Sequence, residues 1–102
     1  MAIQHTVVFR LVHEPGSHEE SAFLATARDV LASIPGVEDF TVSRQISPKS
    51  DLVWQFSMSF ADQSGYDAYN SHPGHVGFVE SRWVPEVASF QEYDFVGLDG
   101  GC

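Results

Sequence analysis

A chain of 102 residues has room for one domain and none left for a second, and 43% hydrophobic with 13% aromatic content excludes disorder. With 14 Asp and Glu against 5 Lys and Arg, the net charge is −9. That field repels phosphate backbones and anionic lipid, which argues against nucleic-acid and membrane partners. No apolar run reaches about 18 residues, and Met1-Ala2-Ile3 leads straight into strand pattern rather than a basic-then-apolar leader, so a cytoplasmic protein is expected.

Ile3 to Val12 alternates, with Ile3, His5, Val7, Phe9 and Leu11 on one face and Gln4, Thr6, Val8, Arg10 and Val12 on the other. Period two predicts a strand. After His13-Glu14-Pro15-Gly16, Ser17 and Glu20 form a capping box, and Phe23, Ala27, Val30, Leu31 and Ile34 share a helical stripe that Pro35-Gly36 ends. Val37 to Ile46 is a second, more polar strand. Leu52 to Phe60 is a third, carrying Leu52, Trp54, Phe56, Met58 and Phe60 on one face. Asp62 caps a short helix through Tyr69, His72-Pro73 interrupts it, and a second piece carries Val76, Phe78 and Val79 toward Trp83 before Pro85. Phe90 to Val96 supplies the fourth strand.

The order β-α-β-β-α-β predicts an α+β, ferredoxin-like domain with a four-stranded antiparallel sheet over residues 1–97, and a flexible tail over 98–102. Cys102, at the end of that tail, has no Cys or His at metal-ligand spacing and reads as an exposed thiol. Both faces of the first strand carry apolar residues, while the helices cover only one. A second copy laid face to face is therefore expected, giving a homodimeric α+β barrel.

Chemistry concentrates in Tyr69-Asn70-Ser71-His72-Pro73-Gly74-His75-Val76-Gly77-Phe78. His75 falls in the first turn of a helix, where the dipole disfavours imidazolium and a neutral ring suits a general base. Tyr69 can bond a substrate oxygen. His5 sits in an otherwise apolar strand face and must find a partner. Spacing leaves open whether that partner is His75, Tyr69, a backbone carbonyl or a ligand. For each of the three, a satisfied core side chain is the structural alternative. His72 reads as a turn residue. A His72–His75 metal pair is disfavoured because Pro73 puts His72 outside the helix. Glu19, Glu20, Glu38, Asp39, Glu86 and Glu92 read as caps and solvated faces.

Ile3-Gln4-His5-Thr6-Val7-Val8-Phe9, Phe60-Ala61-Asp62 followed by Tyr69, His72-Pro73-Gly74-His75-Val76-Gly77-Phe78 and Tyr93-Asp94-Phe95 together resemble the stress-responsive A/B barrel (Dabb) family, over about Ile3 to Phe95. The resemblance implies a dimeric α+β barrel. In a plant branch of the olivetolic acid cyclase type, which closes a linear polyketide without a cofactor, it implies catalytic roles at the positions of His5, Tyr69 and His75. It also implies a substrate space lined by Leu24, Trp54, Val76 and Phe78, and a cation on the backbone carbonyls of Leu31, Ile34 and Val37. Trp54 stands where that branch has a further histidine, and the first helix carries Leu24 and Ala27, so the polyketide itself does not carry over.

Three functions follow. The first is a cofactor-independent acid–base enzyme on a small, partly apolar carbonyl compound. The second is a non-catalytic dimer that serves stress tolerance or binds an apolar small molecule. The third, by fold analogy, is a monooxygenase. A catalytic chain needs a cavity between sheet and helices that both His5 and His75 reach. A purely structural one fills that space with Trp54 and Phe56.

Overall fold

The computed structural model describes residues 1–98; Cys102 and the tail beyond Leu98 lie outside the described residues. The chain runs β1 (Ile3–Leu11), α1 (His18–Leu31), β2 (Glu38–Arg44), β3 (Trp54–Phe60), α2 (Gln63–Ser71), α3 (Pro73–Phe78), a π-helical turn (Val79–Trp83), the short α4 (Val84–Glu86) and β4 (Val87–Phe95). The four strands form one antiparallel sheet in the order β2-β3-β1-β4, the ferredoxin-like α+β fold. Within one chain the sheet is open, with β2 and β4 as its edges. β4 starts three residues before Phe90, because a register shift at Arg10/Leu11 lets Val87 pair with Leu11.

Local chemistry sets the ends of these elements. The Ser17 side chain accepts the Glu20 amide at 3.1 Å. The returning half of the capping box is displaced by one residue, since Glu20 accepts from the Gly16 amide at 2.9 Å, while the Ser17 amide donates to the Glu14 carbonyl. The second Glu20 oxygen takes the indole N–H of Trp54 at 3.2 Å, so Glu20 is buried, not a solvated cap. Gly36, at φ 91°, turns the chain out of α1 in a conformation side chains resist. Asp62 caps α2 through the Gly65 amide, and His72 ends α2 while its Nδ1 accepts the Gly74 amide at 2.9 Å to start α3. His72 is thus a turn residue, with its Nδ1 engaged in that role.

Phe9, Phe23, Phe56, Phe60 and Met58 are the largest fully buried side chains and lie between the helices and the sheet. Phe9 and Phe56 meet edge-on at 4.6 Å. Each such ring removed from water contributes about 1.5–3 kcal/mol.

The other face departs from expectation. Register places Gln4, Thr6, Val8 and Arg10 beside Ser59, Ser57 and Gln55 of β3, and beside Phe95, Tyr93, Gln91 and Ser89 of β4. Most of these residues are polar, and Thr6 and Gln55 bond each other across the strands at 2.7 Å. Among these paired residues the apolar ones are Val8 and the half-exposed Tyr93 and Phe95. β1 alone suggested a greasy surface; its neighbours supply Ser and Gln instead.

Candidate functional site

A cavity of about 520 Å³ lies between the sheet and the segment running from α2 through the π-helical turn. Phe56, Met58, Phe78 and Trp83 contribute to an apolar wall, while His5, Tyr69, Asn70, His75 and Glu92 bring the polar groups. A largely apolar cleft with a few converging polar groups is the usual form of a small-molecule site. The π-helical turn inserts its extra residue beside this cavity, and Val79 and Trp83 line it.

His5 is the third residue of β1, on the helix side of the sheet, and is buried. Its partner is none of those weighed from the sequence. Nδ1 lies 2.6 Å from Asp94 Oδ1, on the paired residue of β4. The Tyr66 hydroxyl is 2.9 and 3.0 Å from the two Asp94 oxygens and 3.0 Å from the same His5 nitrogen. A carboxylate only accepts, so His5 Nδ1 carries the proton and Tyr66 donates to Asp94. The lone pair of His5 is left on Nε2, which lies 3.9 Å from Glu92 Oε2. Burial, with Asp94 beside it, pushes the Tyr66 phenol well above its ordinary range and keeps it a donor.

His75 is placed by α3. Its Nδ1 donates to the Asn70 carbonyl at 3.2 Å, which leaves Nε2 as the acceptor nitrogen. Burial lowers the His75 pKa from its ordinary value against the opposing pull of that carbonyl, and His5 nearby lowers it further. Tyr69 stands with its ring centroid 4.5 Å from His75 and 6.4 Å from His5. Burial raises the pKa of Tyr69 too, so the hydroxyl stays protonated. Among the described residues no protein group bonds it.

The cavity thus gathers His5, Tyr69, His75 and Phe78. Trp54 lies at the other end of the sheet, stacked under the Arg44 guanidinium at 4.5 Å and bonded to Glu20. Leu24 packs against the core and Val76 is exposed; neither lines the cavity. The carbonyls of Leu31 and Ile34 accept the amides of Ile34 and Val37 in the turn after α1. Among the described residues no group of three or more His, Cys, Asp or Glu is arranged to hold a metal, and no helix is long and apolar enough to cross a membrane. Asp94 and Tyr66 carry no site role in the sequence reading, and Glu92, read there as a cap or solvated face, lines the cavity. Their signals were parity on β4 and a position one turn before Tyr69.

The family model described as the stress responsive A/B barrel domain, Dabb, matches residues 3–96. A ferredoxin-like Dabb family protein from Mesorhizobium loti MAFF303099 is 55% identical, with a TM-score of 0.94 over 95% of this chain and 97% of that one. A dimeric ferredoxin-like protein of unknown function from Thermobifida fusca YX is 17% identical (TM-score 0.79, 95% and 92% covered). The hydroxynitrile lyase of Passiflora edulis is 11% identical (TM-score 0.81, 95% and 94% covered). The last two are similar in fold alone. No functionally curated protein matches the sequence.

Proposed function

This chain belongs to the stress responsive A/B barrel domain family, and from that premise we propose that it is an acid–base enzyme acting on a small, largely apolar carbonyl compound with its own side chains as the catalytic groups. One observation carries the reading: two imidazoles, each with Nδ1 tied to a protein acceptor, share one apolar cavity.

In this reaction His75 Nε2 removes a proton from the carbon next to a carbonyl, and the bonding pair moves to make an enolate. Tyr69 donates to the enolate oxygen, whose charge would otherwise develop in an apolar space. The enolate carbon then attacks a second carbonyl of the same substrate. One C–C bond forms, and the proton on His75 passes to the new alkoxide. His5 Nε2, fixed as an acceptor by Asp94, orients an enol or hydroxyl hydrogen of the substrate.

The first half of this reaction can be followed without the natural substrate. In D₂O the protein should speed exchange of the methyl protons of 4-acetylbenzamide, read by NMR, and binding should shift the His75 and Trp83 signals. A series of small aryl and alkyl ketones that neither exchanges faster nor shifts any cavity signal would overturn the proposal.

The same reading includes a second copy of the chain. Val8, Tyr93 and Phe95 form an apolar patch on the uncovered sheet face, and the Thermobifida fusca neighbour is described as dimeric. Sedimentation should give twice the chain mass, and Tyr93→Glu should shift it toward one. A monomer at every concentration would rule out the pairing.

A further inference from the structure

We infer that Glu92 makes the cavity charge-selective, so that its ligand is an uncharged or amine-bearing carbonyl compound and carboxylates are turned away. This rests on the reading that the cavity takes a carbonyl compound. Register pairs Glu92 with Val7 and so points it to the helix side of the sheet, where it lines the cavity. Its side chain is 55% exposed, which puts the carboxylate at the mouth, and Oε2 comes within 3.9 Å of His5 Nε2.

Elsewhere in the fold partly covered carboxylates are engaged. Glu20 accepts from Gly16 and Trp54, Glu86 from His13 and Arg82, and Asp94 from His5 and Tyr66. Among the described residues no hydrogen bond reaches the Glu92 carboxylate; its contact is the long approach to His5. Among the described residues no Lys or Arg lines the cavity to offset it. Asp94 stands behind His5 with the same sign, and the whole chain carries −9. A carboxylate held against His5 and Tyr69 would therefore meet two like charges and no cation.

The test uses three probes of one shape: 4-acetylbenzoate, 4-acetylbenzamide and 4-(aminomethyl)acetophenone, titrated by NMR on the full chain. At low salt and neutral pH the anion should bind about tenfold more weakly than the amide, the size expected for one unit charge several ångströms away at a partly wet site. The amine should bind at least as well as the amide. Glu92→Gln should bring the anion-to-amide ratio toward one, and Glu92→Lys should invert it. On the unmodified chain, raising salt from about 20 to about 300 mM should shrink the ratio, a readout that needs no variant to fold. Equal affinities for all three, or tightest binding of the anion, would overturn the charge selection and leave the acid–base reading standing. Failure of every probe to bind would overturn both.

Discussion

Two histidine–carboxylate pairs sit in this fold at nearly the same distance and end up in different roles. His5 and Asp94 meet at 2.6 Å, His13 and Glu86 at 2.7 Å. At the His13 end, Arg82 closes on the same carboxylate through Nε and donates to Thr26, and the adjacent amide of Val12 bonds the Glu86 carbonyl. That cluster ties the end of β1 to the start of β4. Among the described residues the His5 pair has no cation: a neutral phenol holds Asp94. The second nitrogen of His5 looks into a cavity that also holds His75. A histidine–carboxylate pair becomes a candidate catalyst through what lies beyond its free nitrogen. The pair by itself says little.

The widest separation between the two regions is expected in turnover. His75→Ala or His5→Ala should slow ketone proton exchange by roughly 10²- to 10⁴-fold, the range for losing a positioned acid–base group. His13→Ala should leave the exchange rate within about twofold while lowering stability. An equal loss of rate in all three variants would erase the distinction. Asp94→Asn comes next. It keeps a bond to Nδ1 but weakens the hold on the ring, so a rate loss of roughly ten- to hundredfold is expected, less than loss of the ring itself. Melting should change little, since the Asp94 side chain is about half exposed.

Glu86→Gln should act the other way round. Its carboxylate is mostly covered, and removing the charge leaves Arg82 with a poorer partner, so about 1–3 kcal/mol of stability should go. In a domain this size that is a fall in Tm of roughly 5–20 °C. The Arg82 and His13 hydrogen bonds hold the Glu86 carboxyl below its ordinary value of 4.5, winning over burial, which acts in the opposite direction. A carboxylate with a lowered folded pKa contributes its full stability above the unfolded value. That contribution is lost as pH falls through the folded one. The acid limb of the unfolding curve should therefore flatten below pH 4.5 in Glu86→Gln. An unchanged limb would show that the cluster does not hold this end of the sheet together.

The sequence carried the elements and half of the site. Alternation put His5 on its strand face, and His72-Pro73 marked the helix start that carries His75, with Tyr69 one segment earlier; that the three share one cavity was left open by spacing. Asp94 could not be found that way, because it lies 89 residues from His5 and meets it only through the β1–β4 register. A one-residue slip would have put Tyr93 there and turned the carboxylate to the other side. The same limit explains Trp54: period two gives the face of the sheet but not the position along it, and Trp54 is paired with Phe9 at the far end from His5. Reading β1 alone also overstated the apolar character of the open face, since the serines and glutamines that share it belong to β3 and β4.

The finest distinction between the regions is electrostatic and concerns a third histidine. Burial lowers the His75 pKa first, and His5 lowers it further across the cavity. The folded chain then binds fewer protons than the unfolded chain as pH drops below 6.5. Stability from this group is complete above that value and declines as the pH approaches the folded pKa. Exchange activity should likewise be flat at neutral pH and fall only well into the acid range. Replacing His5 by Gln fills a similar volume but removes the neighbour whose electrostatic influence lowers the His75 pKa. The NMR midpoint of His75 should therefore rise, while staying below 6.5 because the ring remains buried. His13→Gln, at the other end of β1, should leave that midpoint where it is. A midpoint that ignores His5, or that answers equally to His13, would mean that His5 and His75 do not act on one another through the cavity.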